Sequence, residues 1–199
     1  MSQSLVIAID GPSGSGKSTT ARMLAEQLQL GYLDTGAMYR AVAWEYLRSG
    51  GAVDDADAIV KVTREADLRL STHPDKPLVT INGHDVTTAI RDPQVSASVS
   101  VVATNTDVRR ILTKRMREII AAHHFRIVVE GRDITTVVAP DADVRILLVA
   151  DPAARVARRS AELGKGVDHH AVTDQVIRRD RDDSTVSNFT DATEGVVVI

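Results

Sequence analysis

The chain reads as an α/β protein, a parallel β-sheet core flanked by helices, and three observations predict it. Leu5 to Ile9 is an unbroken apolar run with β-branched residues, the pattern of a strand buried on both faces. Phe125 to Glu130 and Val144 to Val149 repeat that character further along. Between them lie segments of helical periodicity, and alternation of this kind builds sheets with helices on both sides. At 199 residues, 43% hydrophobic and 26% charged, the chain fits one soluble domain. A net charge of −3 argues against a nucleic-acid polymer as partner. The absence of cysteine excludes disulfides and thiolate chemistry. The N-terminus lacks a basic segment, and no apolar run is long enough for a bilayer, so no membrane partner and a cytoplasmic location are expected.

The first strand leads into Gly11-Pro12-Ser13-Gly14-Ser15-Gly16-Lys17-Ser18-Thr19, which fits the phosphate-loop pattern G-x-x-x-x-G-K-[ST]. Gly11, Gly14 and Gly16 let the backbone approach a ligand, and freed N–H groups at a helix start can surround a phosphate. Lys17 can reach the outer phosphates, and the Ser18 hydroxyl can ligate Mg²⁺. A helix follows over Thr20 to Leu30, with Ala21, Leu24, Ala25 and Leu28 as its apolar stripe.

A second helix, Ala37 to Arg48, carries Tyr39 and Arg40 near its beginning. An arginine in a first turn opposes the helix dipole, and such local conflicts mark functional positions. Gly50-Gly51 ends this helix, and Asp54 or Asp55 caps a third with Ile59, Val62 and Ala66 on one face. Short strands at Leu68–Leu70, Leu78–Ile81 and Asp85–Val86, with a turn at Asn82-Gly83, then form a small antiparallel unit. It interrupts an otherwise alternating chain and reads as an inserted subdomain. Asp92-Pro93 starts a helix over about 94–102, and Asp107 is expected to cap the next, striped by Val108, Ile111, Leu112, Met116 and Ile119. Arg109 and Arg110 sit in its first turn, again against the dipole.

The strand from Phe125 ends in Glu130-Gly131-Arg132-Asp133, at the carboxyl edge where parallel sheets bind ligands. Asp151-Pro152 opens a helix whose Arg155, Arg158 and Arg159 share one face, suited to a polyphosphate. Gly164-Lys-Gly166 is a flexible interruption, a return helix spans about 171–179, and His169-His170 face different ways on a helix, which argues against a metal site. Gly195 to Ile199 is a last strand. An α/β chain would ordinarily continue with a covering helix, so further C-terminal residues are expected.

A phosphate loop alone specifies nucleotide binding. A GTPase switch should carry D-x-x-G and N-K-x-D, and neither occurs. A motor or transporter ATPase needs a larger chain. A small-molecule kinase needs the loop, an acceptor site and arginines, which this chain supplies at four separate places.

The runs Leu33-Asp-Thr-Gly-Ala-Met-Tyr-Arg40, Val129-Glu-Gly-Arg-Asp133 and Arg179-Asp-Arg-Asp-Asp183-Ser184, together with GPSGSGKST, resemble bacterial cytidylate kinases over nearly the whole chain. The resemblance implies a P-loop NMP-kinase fold and ATP-dependent phosphorylation of CMP and dCMP by direct in-line transfer, with ATP and Mg²⁺ required. It implies one kinase domain over 1–199: a core at about 1–34, 103–152 and 184–199, an acceptor-binding region at 35–102 and a lid at 153–183. It places ATP on Gly11 to Thr19 and Arg158. Lys17, Arg132, Arg155 and Arg159 would act on the transferring phosphoryl group. Arg40 and Arg132 would grip the acceptor phosphate, and Thr35 and Tyr39 would line its pocket. Ser100, Arg109 and Asp133 would surround the cytosine ring, and Arg179 and Asp183 the sugar. A monomer is expected. Another small-molecule P-loop kinase, or a nucleotide-binding regulator without catalysis, remains the alternative.

Hydrogen-bond chemistry fits the same assignment. Cytosine offers an amino donor at N4 and acceptors at N3 and O2; Asp133 can accept from the first, and Arg109 and a hydroxyl can donate to the others. One departure stands out. The family places an arginine soon after the Asp-Ser pair, as in D-S-T-R, whereas here Val186 follows Asp183-Ser184-Thr185. The following Val186-Ser-Asn-Phe-Thr190 also lacks the family's Pro-Leu. Weaker CMP binding, or an altered preference between ribose and deoxyribose, is the expectation.

Overall fold

A computed structural model describes residues 3–50, 55–163, 180–182, 184–187 and 189–199, without the side chains of Arg159, Glu162 and Leu163. Arg179, Asp183, Asp54, the Gly164–Gly166 interruption, His169-His170 and the return helix lie outside the described residues.

Five strands form a parallel sheet: β1 (Leu5–Asp10), β2 (Gly31–Asp34), β6 (Arg126–Gly131), β7 (Val144–Leu147) and β8 (Val197–Val198). Their order is β2-β6-β1-β7-β8. β1 pairs with β6 from Leu5 opposite Arg126 to Asp10 opposite Gly131, so both strands reach the carboxyl edge together. β2 is the strand that sequence pattern missed, being four residues long and too short to show a period. It pairs with β6 and delivers Asp34 opposite Glu130.

Side chains of β1 alternate between two cores, as the strand period of two requires. Val6 and Ala8 pack with α2 (Thr35–Arg48), α4 (Pro93–Thr104) and α5 (Thr106–Ala122). Ile7 and Ile9 pack with Ala21 and Ala25 of α1 (Lys17–Leu28). The alternation explains why β1 reads as continuously apolar, since each face meets helices. α3 (Ala56–Glu65) lies beside α5, and Asp55 caps it by accepting from the Ala58 N–H at 2.9 Å. The inserted sheet has the order β3 (Leu68–Leu70), β4 (Val79–Ile81), β5 (His84–Asp85), antiparallel throughout. Asn82 and Gly83 both take positive φ, 49° and 80°, the geometry of a tight hairpin turn. This sheet rests on Ala37 and Ala41 of α2.

Four expectations need correction. α1 begins at Lys17, not Thr20, so Ser18 and Thr19 form its first turn and the phosphate loop runs straight into the helix. Leu28 is exposed, and Leu30 takes its place in the core after Gln29 turns the chain at φ 53°. Asn105, not Asp107, caps α5; its Oδ1 accepts from the Asp107 and Val108 N–H groups at 3.0 and 3.1 Å. Asp107 is left in the first turn, where a carboxylate suits the dipole, and it pairs with Arg110. Phe125 is exposed at the foot of β6 with φ 57°, outside the strand.

Candidate active site

The loops after β1, β2 and β6 converge at one edge of the sheet. The glycine-rich loop turns there because its glycines occupy places no side chain could. Gly11 has φ 151°, and a Cβ on it would strike the Leu148 carbonyl oxygen. Gly14 has φ 75°, and its Cβ would stand 2.7 Å from the Arg155 carbonyl oxygen. Gly16 precedes α1 at φ 101° with no side-chain cap, and no acidic residue stands in the first turn. The leading N–H groups of the helix are therefore left for an anion.

These groups face a cavity of about 610 Å³ lined by Ser13, Gly14, Gly16, Lys17, Ser18 and Thr19 on one side. Arg22, Arg40, Arg91 and Arg132 surround the rest, with Asp34 and Glu130 at its floor. Lys17 Nζ donates to the Pro12 carbonyl at 2.8 Å. The Ser18 hydroxyl donates to Glu130 Oε1 at 2.5 Å, and the Tyr32 hydroxyl donates to the same oxygen at 3.0 Å. Burial, and then the charge of Asp34, push the Glu130 carboxyl above the usual carboxylate range, while Lys17, Ser18 and Tyr32 pull the other way. Burial acts to raise Asp34 too. Arg40, the Ala37 N–H, Arg91 and Arg22 outweigh it and hold that carboxyl below its ordinary 3.8. Burial, then Asp34 and Glu130, push the Tyr32 phenol upward, keeping it a neutral donor.

Asp34 also resolves the apparent conflict at Arg40. α2 starts two residues earlier than its sequence suggested, at Thr35, so Arg40 lies in the second turn. Asp34 caps the helix through Ala37 N at 2.8 Å and pairs with Arg40 Nη2 at 2.9 Å. Thr35 is buried and donates to the Glu130 carbonyl at 2.8 Å, tying the start of α2 to the β6 edge.

The residues after β6 diverge. Arg132 lines the cavity of the phosphate loop, whereas Asp133 lines a second cavity of about 1010 Å³ with Arg109, Arg110, Lys114, Arg117, Thr185 and Val186. Asp133 and Arg109 form a buried ion pair; Arg109 Nη1 also donates to the Ala103 carbonyl at 2.9 Å, and the guanidinium lies 5.9 Å from the Tyr39 ring. Recognition of the ring at the site of transfer leads one to expect Arg109, Asp133 and Lys17 on one common cavity; Arg109 and Asp133 are brought together, but they line a different cavity from Lys17, which corrects that expectation. Ser100 is half-buried on α4, one turn before Ala103, and lines neither cavity. Val186 shares the second cavity with the pair, so the departure from the family pattern falls beside the expected ring site.

α6 (Pro152–Leu163) is capped by Asp151, which accepts from the Ala153 and Ala154 N–H groups. Its arginines reach back to the loop: Arg155 donates to the Ser13 carbonyl at 3.1 Å and Arg158 to that of Ser15 at 3.1 Å. Arg159 follows on the same helix.

Asp10, Asp34 and Asp180 are carboxylates of the site to which the sequence assigned no role, whereas Glu130 belongs to the charged triplet with Arg132 and Asp133 at the sheet edge. Asp10, 1% exposed, ends β1 and accepts from Ile134 N, Thr135 N and Thr135 Oγ1, fixing the wide helical turn Ile134–Val138 behind Asp133. Its burial pushes its carboxyl upward against those hydrogen bonds. Glu130 and Asp10 share one signal, a carboxylate closing a buried apolar strand. Asp180 gave none apart from its run. Arg22 and Arg91 also lacked a local signal.

A glycine cradle on a parallel sheet edge, faced by arginines and flanked by a second cavity that holds a buried arginine–aspartate pair, is the arrangement of a P-loop kinase of a small phosphorylated acceptor. The comparisons narrow the class. A family model described as cytidylate kinase matches residues 7–199. A cytidylate kinase of Cutibacterium acnes is 59% identical over 197 residues, 98% of this chain and 87% of the relative. One of Streptomyces avermitilis is 44% identical over 181 residues, 91% and 78% of the two chains. The solved structure of an uncharacterized protein from Eubacterium ventriosum matches with a TM-score of 0.52 at 14% identity, covering 98% of this chain and 86% of that one, a likeness of fold. The chain belongs to the cytidylate kinase family.

Proposed function

We infer that the phosphate-loop cavity and its neighbour are where this nucleoside monophosphate kinase phosphorylates CMP and dCMP with ATP. One observation carries the reading. Consecutive residues of a single loop, Arg132 and Asp133, line the two cavities, one at the phosphate cradle and one holding the Arg109–Asp133 pair. An acceptor nucleotide placed across that loop lays its phosphate toward Arg40 and Arg132 and its base toward Arg109 and Asp133.

The donor phosphates lie on Gly11 to Thr19, with Lys17 at the outer phosphates and Arg155 and Arg158 approaching from α6. Arg159 completes the arginine face of that helix by resemblance, as Arg179 and Asp183 supply the sugar contacts. Arg22 and Arg91 add charge around the same cavity. The acceptor is a phosphate oxygen, already nucleophilic near neutral pH, so no strong general base is needed. Transfer then depends on in-line placement and on neutralising the charge of the phosphoryl group. Ser18 and Glu130 are oxygen donors fit for Mg²⁺, which binds through few protein oxygens plus substrate phosphates and would neutralise charge between them. The Arg109–Asp133 pair is satisfied within the protein, so a base must exchange contacts with it, and the wrong base leaves a buried group unpaired.

Residues 35–102 form the acceptor region, 153–183 the lid, and 1–34, 103–152 and 184–199 the core. The enzyme acts as a cytoplasmic monomer without a nucleic-acid polymer as partner. No helix among the described residues is long and apolar enough to cross a membrane. A coupled assay of ADP formation with CMP, dCMP, UMP and AMP tests the function. CMP and dCMP should be turned over far faster than UMP or AMP. A preference for UMP or AMP, or no turnover at all, would contradict it.

A further inference from the structure

We propose that Asp180 is a positioning residue for phosphoryl transfer, holding Arg132 and Arg155 converged on the phosphate loop. The inference rests on the proposed roles of those two arginines. The carboxylate joins three segments far apart in sequence. Asp180 Oδ1 accepts from Arg132 Nη1 at 2.9 Å and from the Ser13 N–H at 3.1 Å. Asp180 Oδ2 accepts from Arg155 Nη1 at 2.5 Å. All three side chains are largely shielded, with 13–15% of each exposed. Ion pairs in such surroundings are weakly screened.

The arrangement is that of a bracket rather than a surface pair. Two guanidiniums drawn to one spot repel each other, and a carboxylate between them removes that cost. Asp180 takes only one terminal nitrogen of each arginine. Arg155 Nε is buried with no hydrogen-bond partner among the described residues. Arg132 is steadied on its other side by the Phe189 ring, 4.4 Å away. The Arg155 guanidinium touches the loop itself through the Ser13 carbonyl. The cations are therefore fixed before any phosphate arrives, and donors that need not reorganise are the ones that stabilise a transition state most.

The test compares Asp180→Asn and Asp180→Glu with the parent for kcat, the KM of ATP and of CMP, and melting temperature. Asparagine keeps the size and one acceptor oxygen but not the charge. In Asp180→Asn kcat should fall about 10- to 100-fold while both KM values stay within about threefold and the melting temperature holds, since an interaction made in the transition state shows in kcat. Glutamate should recover part of the loss. In an Arg155→Ala background, Asp180→Asn should cost far less than it does alone, because the two act as one unit. An unchanged kcat, full additivity with Arg155→Ala, or a lower KM at unchanged kcat would overturn the proposal; the last would make Asp180 a competitor of phosphate. Asp180→Ser, which removes volume rather than filling it, decides the matter should the asparagine variant not fold. Full activity of both Arg132→Ala and Arg155→Ala would instead remove the underlying reading of the site.

Discussion

Asp10 is where the fold and the site meet most directly, and Asp10→Ala is the perturbation that exposes it. The carboxylate receives two backbone N–H groups at 2.8 Å and one hydroxyl at 2.6 Å, from residues 0% and 3% exposed. Alanine leaves those donors buried without an acceptor, at about 1–3 kcal/mol for each unsatisfied group. An opposing gain arises because burial already raises the Asp10 carboxyl, so removing it relieves a desolvation cost. The net loss should be about 2–5 kcal/mol. For a domain of this size that lowers the melting temperature by roughly 5–15 °C. The same change frees the turn behind Arg132 and Asp133, so kcat/KM for CMP should fall more than the population of unfolded protein explains. Asp10→Asn, which keeps one carbonyl acceptor, should lie between. Urea and thermal unfolding, with a coupled assay at a temperature where each variant is folded, measure both effects. An alanine variant within about 1 kcal/mol of the parent and fully active would refute the reasoning, because buried donors cannot lose their acceptor at no cost.

Lys17→Ala should abolish turnover while circular dichroism and unfolding stay near the parent's; a fully active variant would take the phosphate loop out of the mechanism. Val186→Arg places a donor in the cavity of Arg109 and Asp133 and should lower the KM for CMP or change the CMP to dCMP ratio; unchanged constants for both acceptors would reject a role for this position. The folded-state pKa of Asp34 is depressed, so its stabilising contribution is present above its ordinary 3.8 and is lost as pH falls through the folded value. Asp34→Asn should accordingly lose less stability than the parent on acidification into that range, and equal losses in urea titrations would contradict the assignment.

Sequence made the sheet and its loops legible wherever a strand is buried on both faces, because such strands cannot hide their apolar runs. β1 and β6 were plain for that reason, and so was the Asn82-Gly83 hairpin. β2 was not, since four residues on one edge show no period. Helix starts were read late where polar functional residues occupy the first turn, as at Lys17 and Thr35. The cap of α5 was misplaced because Asn105 and Asp107 are both good capping residues, and only the backbone N–H directions choose between them. In the candidate site, the motif residues stand out in the sequence and the groups that they pair with in the structure do not. Asp34 answers Arg40, and Asp180 answers Arg132 and Arg155, through contacts that span up to 48 residues of sequence. A linear pattern carries no information about such pairings. The division between the cavities of Arg132 and Asp133 was likewise invisible, since adjacent letters give no hint that their side chains diverge.

Central to the account is that base and phosphate are recognised by neighbouring residues on opposite sides of one loop. The ratio of kcat/KM for CMP to that for UMP, measured on Asp133→Asn against the parent, examines this most directly. That ratio should fall by about tenfold or more, because the amide no longer favours an amino donor over a carbonyl. A folded, active variant with the parent's ratio would contradict it.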